Sequence, residues 1–312
     1  MKSSVPPCST RVRYIFVVNG RSDKAHILPD LEAQLAGREV SYSLYVTTGI
    51  GDGTRYVRLY CEFHPGEEVC FVACGGSGTL NEVVSGIAGA GPEKSFAMLA
   101  YGAMNDFAKI WPGRNFRSVQ AMLDGEERQV DLIRCNDDYS LNVVNIGFGA
   151  MVAFRANEYI EQGARDPYGR SVRRCILDSR FNRIRIWADG EKISRCVSLL
   201  CTISNGGWCG GKFHCAPRAK VDDGLMEVCL MHAVPLLSFM RIMPFYKSGR
   251  HLEAKHCMRH IAYRRARKVV IESASLQYVS LDGEIIAGTH LELEIMEKAL
   301  RMRVPKIEEA SV

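Results

Sequence analysis

The 312-residue chain is defined first by what it lacks. No apolar run reaches the roughly 18 residues a membrane-spanning helix needs, which excludes a helical membrane protein. The first residues, MKSSVPPCSTRVR, hold no apolar core, so no secretory signal is expected. The 12 cysteines are scattered, and Cys70, Cys74, Cys201 and Cys229 sit inside apolar runs. They read as buried thiols in a reducing compartment rather than a disulfide framework. Cys209, His214 and Cys215 have no second CxxC-type pair, so a zinc-thiolate site has little support. There is no internal repeat and no low-complexity linker. Neither GK[ST] nor GxGxxG occurs. The basic residues are not interleaved with stacking aromatics, so no nucleic-acid partner is expected.

What remains is an ordinary globular composition, 47% hydrophobic and 24% charged, enough for one large or two ordinary domains. The net charge of +5 suits an anionic substrate or a membrane surface and demands neither.

The chain is organised around EVCFVACGGSGTLNEVVSGIAGA, Glu68–Ala90. The apolar run Val69–Cys74 does not alternate, which fits a strand buried on both faces of a parallel sheet. Gly75, Gly76 and Gly78 free the backbone to turn and to approach a ligand. A helix follows, with Thr79 and Glu82 at capping-box spacing and Leu80, Val83, Val84 and Ile87 on one face. Strand, glycine turn and helix N-terminus together form an anion-binding arrangement. A tight turn packed on a sheet satisfies the same pattern.

Arg11–Asn19 reads as the first strand after a loose tail over residues 1–10. Asn19 at its end is either a turn residue or a nucleotide ligand. A helix over about His26–Ala36, a strand over Val40–Thr47, and a helix over about Gly53–Phe63 opened by Thr48–Asp52 come next. After the glycine loop, Ser95–Ala100 is a strand, and Asn105 or Asp106 caps a helix from Phe107. The alternation predicts a doubly wound α/β domain to about residue 135, its crevice at the carboxyl ends of the strands. From 136 onward strands dominate: Tyr139–Ile146, Arg183–Ala188, Val197–Ser204, Leu225–Met231, Lys268–Ser273, Tyr278–Leu281 and His290–Met296. Residues 151–182 look helical and arginine-rich, and Leu236–Tyr246 is a further helix. The second domain, 136–312, therefore reads as β-sandwich-like, with its last residues free to return to the first. The ligand site falls in the cleft between the two lobes.

Five segments, in order, resemble the diacylglycerol kinase catalytic-domain family, which includes bacterial lipid kinases, sphingosine kinases and ceramide kinases. Gly75–Val83 is similar to its GGDGTxNEV loop and Tyr101–Ala108 to its GTGNDFA loop. Asn142 through Gly147–Ala150 is similar to N…GFDA. Asn205-Gly206, Gly210-Gly211, Pro217–Ala219 and Asp222–Leu225 resemble NG…GGG…PxA…DDGL, and Asp282-Gly283-Glu284 its DGE. The resemblance implies an α/β nucleotide lobe, a β-rich lobe, and transfer of the γ-phosphoryl group of ATP to a lipid hydroxyl with Mg²⁺. It implies that Gly75, Gly76, Gly78 and Thr79 cradle phosphates, and that Asn19, Thr48, Asn105 and Asp106 hold the nucleotide. Glu284 becomes the base. Asp131, Asp222 and Asp223 become metal ligands or part of an interlobe network. Without the resemblance, Asp222–Gly224 and Asp282-Gly283 read as hairpin turns. The partner implied is a lipid at the inner face of a membrane, met by a cytoplasmic, peripheral protein. Basic contacts are expected at Arg170, Arg173, Arg174 and Arg259–Lys268, and a homodimer is admitted.

Five positions depart from the family pattern. Ser77 replaces the aspartate of GGDGT, Ala103-Met104 the Thr-Gly of GTGND, Gly20 the proline after Asn19, and Gly149 the aspartate of GFDA. Ser77 is a neutral, poorer Mg²⁺ ligand, and losing a catalytic carboxylate there costs on the order of 10²–10⁴ in rate. Two expectations stand: a lipid kinase with altered metal handling, or a kinase-fold protein that binds nucleotide or lipid without efficient turnover.

Overall fold

The computed structural model describes residues 12–21, 24–178, 182–194 and 197–307. The expected N-terminal tail and Arg11 lie outside these residues. The first lobe runs β1 (Arg13–Val18), α1 (Ile27–Leu35), β2 (Tyr42–Val46), α2 (Asp52–Phe63), β3 (Val69–Gly75), α3 (Ser77–Ile87), β4 (Lys94–Ala100) and α4 (Val119–Leu123). β2, β1, β3 and β4 lie side by side in that order, all parallel. Every residue of β3 is buried, as its unbroken apolar run requires. Along β1, Ile15 and Val17 pack with Val57, Val83 and Val84 of α2 and α3, while Phe16 and Val18 pack with Leu31, Leu35 and Met122 of α1 and α4. Helices thus cover both faces. The chain leaves β1 for β2 on one side and returns to β3 on the other, so the strand order reverses between β1 and β3. Ligand crevices form at such a reversal.

The second lobe comprises β5 (Glu126–Cys135), β6 (Asp138–Ser140), β7 (Val143–Gly147), α5 (Phe148–Glu161), α6 (Pro167–Asp178), β8 (Ile184–Ala188), β9 (Glu191–Lys192), β10 (Ser198–Ser204), β11 (Met226–His232), α7 (Leu236–Lys247), α8 (Lys255–Met258), β12 (Ile261–Ala266), β13 (Lys268–Leu281) and β14 (Glu284–Val304). Its β12-β11-β10-β7-β13-β14 run is antiparallel and continues through β14 into β4. β14 pairs with β13 at its start and runs parallel to β4 at Arg301 and Met302. One 21-residue strand therefore joins both lobes. Ile133, Val144, Ile186, Val228, Ile271 and Leu293 fill the inside of the sandwich.

Several elements differ from the sequence reading. The helix from Phe107 is a 3-10 turn, Asp106–Ile110, preceded by Asn105 in the left-handed region at φ 46°. Tyr139–Ile146 breaks into β6 and β7 because Leu141 to Val143 turn inward to bind Asp282. The expected helix over 151–182 is two, α5 and α6, and residues 179–181 lie outside those described. Lys268–Ser273 and Tyr278–Leu281 are one strand with an irregularity between Glu272 and Gln277. β5 has no counterpart in the sequence reading, its first half, Glu126–Gln129, being exposed and charged.

Candidate active site

The loop after β3 turns at Gly75 and Gly76, and α3 opens at Ser77. A Cβ on Gly75 would lie 2.3 Å from Thr79 Oγ1, and one on Gly102 would lie 2.4 Å from the Cα of Gly76. Gly102 N donates to Gly75 O at 2.9 Å. The loops following β3 and β4 thus touch through bare backbone, which only glycine permits. No side chain caps α3. Its first amides keep no partner within the helix, and its dipole favours an anion there.

The capping box expected from Thr79 and Glu82 does not form. The helix begins three residues earlier than that motif requires, with Gly76 at the cap. Thr79 Oγ1 instead accepts from Asn19 Nδ2 at 3.1 Å, bridging the ends of β1 and β3. Glu82 accepts from Gly51 N at 2.8 Å and Gly53 N at 2.9 Å, fixing the start of α2. Thr48 is likewise used locally: its N and Oγ1 each donate to Asp52 at 2.9 Å. Gly20 donates its N–H to Thr47 Oγ1, and a Cβ there would lie 1.9 Å from Thr47 O. That packing explains why this chain carries glycine where the family has proline, which lacks an N–H.

Glu284, distant in sequence, comes back to this loop. A Cβ on Gly78 would lie 3.0 Å from Glu284 Oε1, so the carboxylate sits over the start of α3. Burial pushes its carboxyl above the ordinary glutamate value, and the negative charges of Glu82 and Asp282 push the same way. The turn before it, with Asp282 at φ 54° and Gly283 at φ 110°, is held from several sides. Asp282 accepts from Leu141 N at 2.7 Å, Val143 N at 2.8 Å and Asn142 N at 3.1 Å, and from Asn81 Nδ2 of α3 at 3.2 Å. Asn157 Nδ2 of α5 donates to Gly283 O at 3.2 Å. Tyr168 of α6 lines the same cleft, its phenol pushed up by burial and then by the charges of Asp106 and Glu284. Sequence reasoning missed Tyr168, which belongs to no motif.

Asn105 Nδ2 donates to Gly102 O at 2.6 Å and Ala100 O at 3.2 Å, holding its own loop, while its Oδ1 is buried without a partner among the described residues. Asp106 accepts from Gly211 N and pairs with Lys109 at 2.5 Å, and Lys109 Nζ donates to Gly211 O at 2.7 Å. Both residues lie at the lobe junction, where Met104 also packs on Gly211.

The expected metal aspartates do not assemble as ligands. Asp131 is fully buried, and its two oxygens accept from Lys298 N and Gly224 N, each at 2.7 Å. It fastens the β14 irregularity, where Lys298 has φ 51°, to the 222–224 turn. Asp223 accepts from Leu225 N and pairs with Arg265, and Asp222 is exposed. Among the described residues no cluster of three His, Cys, Asp or Glu side chains is arranged to hold a metal. Of the two basic runs, Arg259–Lys268 is largely paired internally, through Arg264–Glu191, Arg265–Asp223, Arg267–Glu297 and Lys268–Glu292. Arg170, Arg173 and Arg174 are exposed on α6.

From Ser77 a cavity of about 640 Å³ opens into the second lobe. Val152, Val172, Leu200, Phe213, Phe239 and Met243 are among its mostly apolar walls. Gly149 lies on this wall, where a Cβ would come 3.2 Å from Asn145 Oδ1.

A glycine turn at a helix N-terminus, a facing carboxylate and an apolar cavity on a two-lobed fold are the parts that a phosphotransferase combines. Residues 13–135 match the diacylglycerol kinase catalytic domain, and 142–304 match the YegS C-terminal NAD kinase beta sandwich-like domain. The chain belongs to the diacylglycerol kinase catalytic-domain family of lipid kinases. It is 28% identical over 322 residues to a "Probable lipid kinase YegS-like" of Chromohalobacter salexigens, covering 98% of this chain and 97% of that protein. It is 25% identical over 301 residues to a diacylglycerol kinase of Staphylococcus epidermidis, covering 95% of this chain and 92% of that one. The crystal structure of a diacylglycerol kinase from Bacillus anthracis shares the fold, with a TM-score of 0.65 and 17% identity over 94% of this chain and 97% of that one. No helix among the described residues is long and apolar enough to cross a membrane.

Proposed function

We propose that this enzyme transfers the γ-phosphoryl group of ATP to a lipid hydroxyl, such as that of diacylglycerol. The reading rests on one observation: Ser77 is both the first residue of the uncapped helix α3 and part of the wall of the apolar cavity. Phosphate and acceptor hydroxyl would meet there, with Glu284 alongside. The triphosphate would lie on the amides of Gly75 to Thr79, with Asn19 at its edge. Asn105 Oδ1, a buried acceptor with no partner among the described residues, would take a nucleotide hydroxyl or amine. Glu284 would remove the hydroxyl proton as the bond to phosphorus forms, and burial, which raises its basicity, suits it to that task. Mg²⁺ fits this loop as an ion carried on the nucleotide phosphates, since it commonly uses one or two carboxylates with phosphates and water. When bound it would neutralise phosphate charge. Ser77 and Glu284 would supply side-chain oxygens to hold it.

The neutral Ser77 supports a second reading, a member of the fold that holds nucleotide or lipid with little turnover. Incubation with γ-labelled ATP, Mg²⁺ and a panel of lipids in mixed micelles separates the two. Labelled lipid from the wild type supports the kinase. No product from the wild type, but product from Ser77→Asp, supports the weakened site. No product from either overturns the transfer reading. We further propose that the enzyme acts as a peripheral protein at an anionic membrane.

A further inference from the structure

Helix α7 turns an apolar face outward. Leu236, Leu237 and Met240 are 54%, 67% and 52% exposed, whereas Phe239 and Ile242 are buried against the second lobe. The exposed three lie at i, i+1 and i+4, on one side of the helix. A surface helix ordinarily turns polar residues to water there. Met240, Met243 and Pro244 also line the cavity, so the exposed strip runs into the cavity mouth. The chain has no carboxylate between Glu227 and Glu253, while Arg241 and Lys247 are exposed on the same helix.

We infer that this face of α7 docks the enzyme on an anionic lipid bilayer, with Leu236, Leu237 and Met240 entering the headgroup boundary and the cavity opening onto the acyl region. The inference rests on the lipid-acceptor reading for its purpose but not for its test. Apolar insertion flanked by cations is the chemistry that interfacial helices use. A second copy of this chain fits less well. A two-fold contact sets a patch against itself, which would face Arg241 and Lys247 with their own copies and supply no carboxylate.

Co-sedimentation of the full chain with phosphatidylcholine vesicles, with and without phosphatidylglycerol, tests this. Binding should rise with phosphatidylglycerol and fall with salt. Leu236→Glu/Leu237→Glu, which alters neither cavity wall nor loop, should lower the partition coefficient by about tenfold or more. Phe63→Glu, 76% exposed on the other lobe, should leave it unchanged. Phosphorylation of vesicle-embedded diacylglycerol should fall with the double variant, and that of short-chain diacylglycerol in micelles should not. Equal partition of double variant and wild type overturns the inference. So does a wild-type dimer, seen by light scattering, that the double variant dissociates with no change in vesicle binding. Should no lipid be phosphorylated while partition still depends on Leu236 and Leu237, the docking surface stands and the acceptor reading falls.

Discussion

Replacing Asp282 by alanine removes the group that ties the Glu284 turn to both lobes. Its carboxylate is half-buried at the cavity wall and accepts from three consecutive backbone amides, Leu141 to Val143, and from Asn81 of α3. Each donor left unpaired in the interior costs about 1–3 kcal/mol. Four such costs do not add in full, because the variant no longer buries a charge and water can enter. Breaking a buried charged network typically costs about 3–5 kcal/mol. Alanine at φ 54° adds about 1–2 kcal/mol that aspartate largely escapes. A loss of about 4–6 kcal/mol is therefore expected, within the about 5–15 kcal/mol that holds a domain together. The Asp282→Asn variant keeps the backbone tolerance and one acceptor, and should lose about half as much. Urea unfolding monitored by circular dichroism gives the stability, and kcat on a micellar lipid gives the effect on Glu284. The reasoning fails if alanine costs under about 1 kcal/mol with an unchanged urea slope and leaves kcat intact.

Two further outcomes follow from the same geometry. Glu82→Gln removes a negative charge that helps to raise the Glu284 carboxyl. A base must be ionised, so activity falls as pH drops through its raised value; the acid limb of log kcat against pH should move to lower pH in the variant, and an unmoved limb would count against Glu284 as base. Asp131→Ala should lower stability by about 2–4 kcal/mol by orphaning Gly224 N and Lys298 N, read by thermal unfolding. It should leave the Mg²⁺ dependence of phosphorylation where it was, whereas a metal ligand would shift it.

Much of this was legible in the chain because the first lobe obeys local rules. Unbroken apolar strands, glycine turns and amphipathic helices announce β1 to β4 and the loop at Gly75, and β3 is buried throughout as its run demands. The pairing of Glu284 with that loop was open only to family resemblance, since nothing in local spacing joins residues 78 and 284. The missed features are those set by tertiary contact. Thr79 and Glu82 have capping-box spacing, yet they serve β1 and α2 because those elements bring Asn19 and two glycine amides within reach. Asp131 looked like a cation ligand, but the β14 irregularity and the 222–224 turn supply amides that occupy both its oxygens. β5 was hidden because half of it is solvent-facing and charged. The outward apolar face of α7 is invisible to periodicity, which reads any such face as core.

The most direct measurement compares wild type and Glu284→Gln for kcat with ATP and lipid, alongside nucleotide affinity by equilibrium titration. A base poised over the α3 N-terminus predicts a fall in kcat on the order of 10²–10⁴, with affinity changed by no more than about twofold. A variant that turns over within about threefold of wild type, or one whose lost rate is matched by lost nucleotide binding, would contradict it.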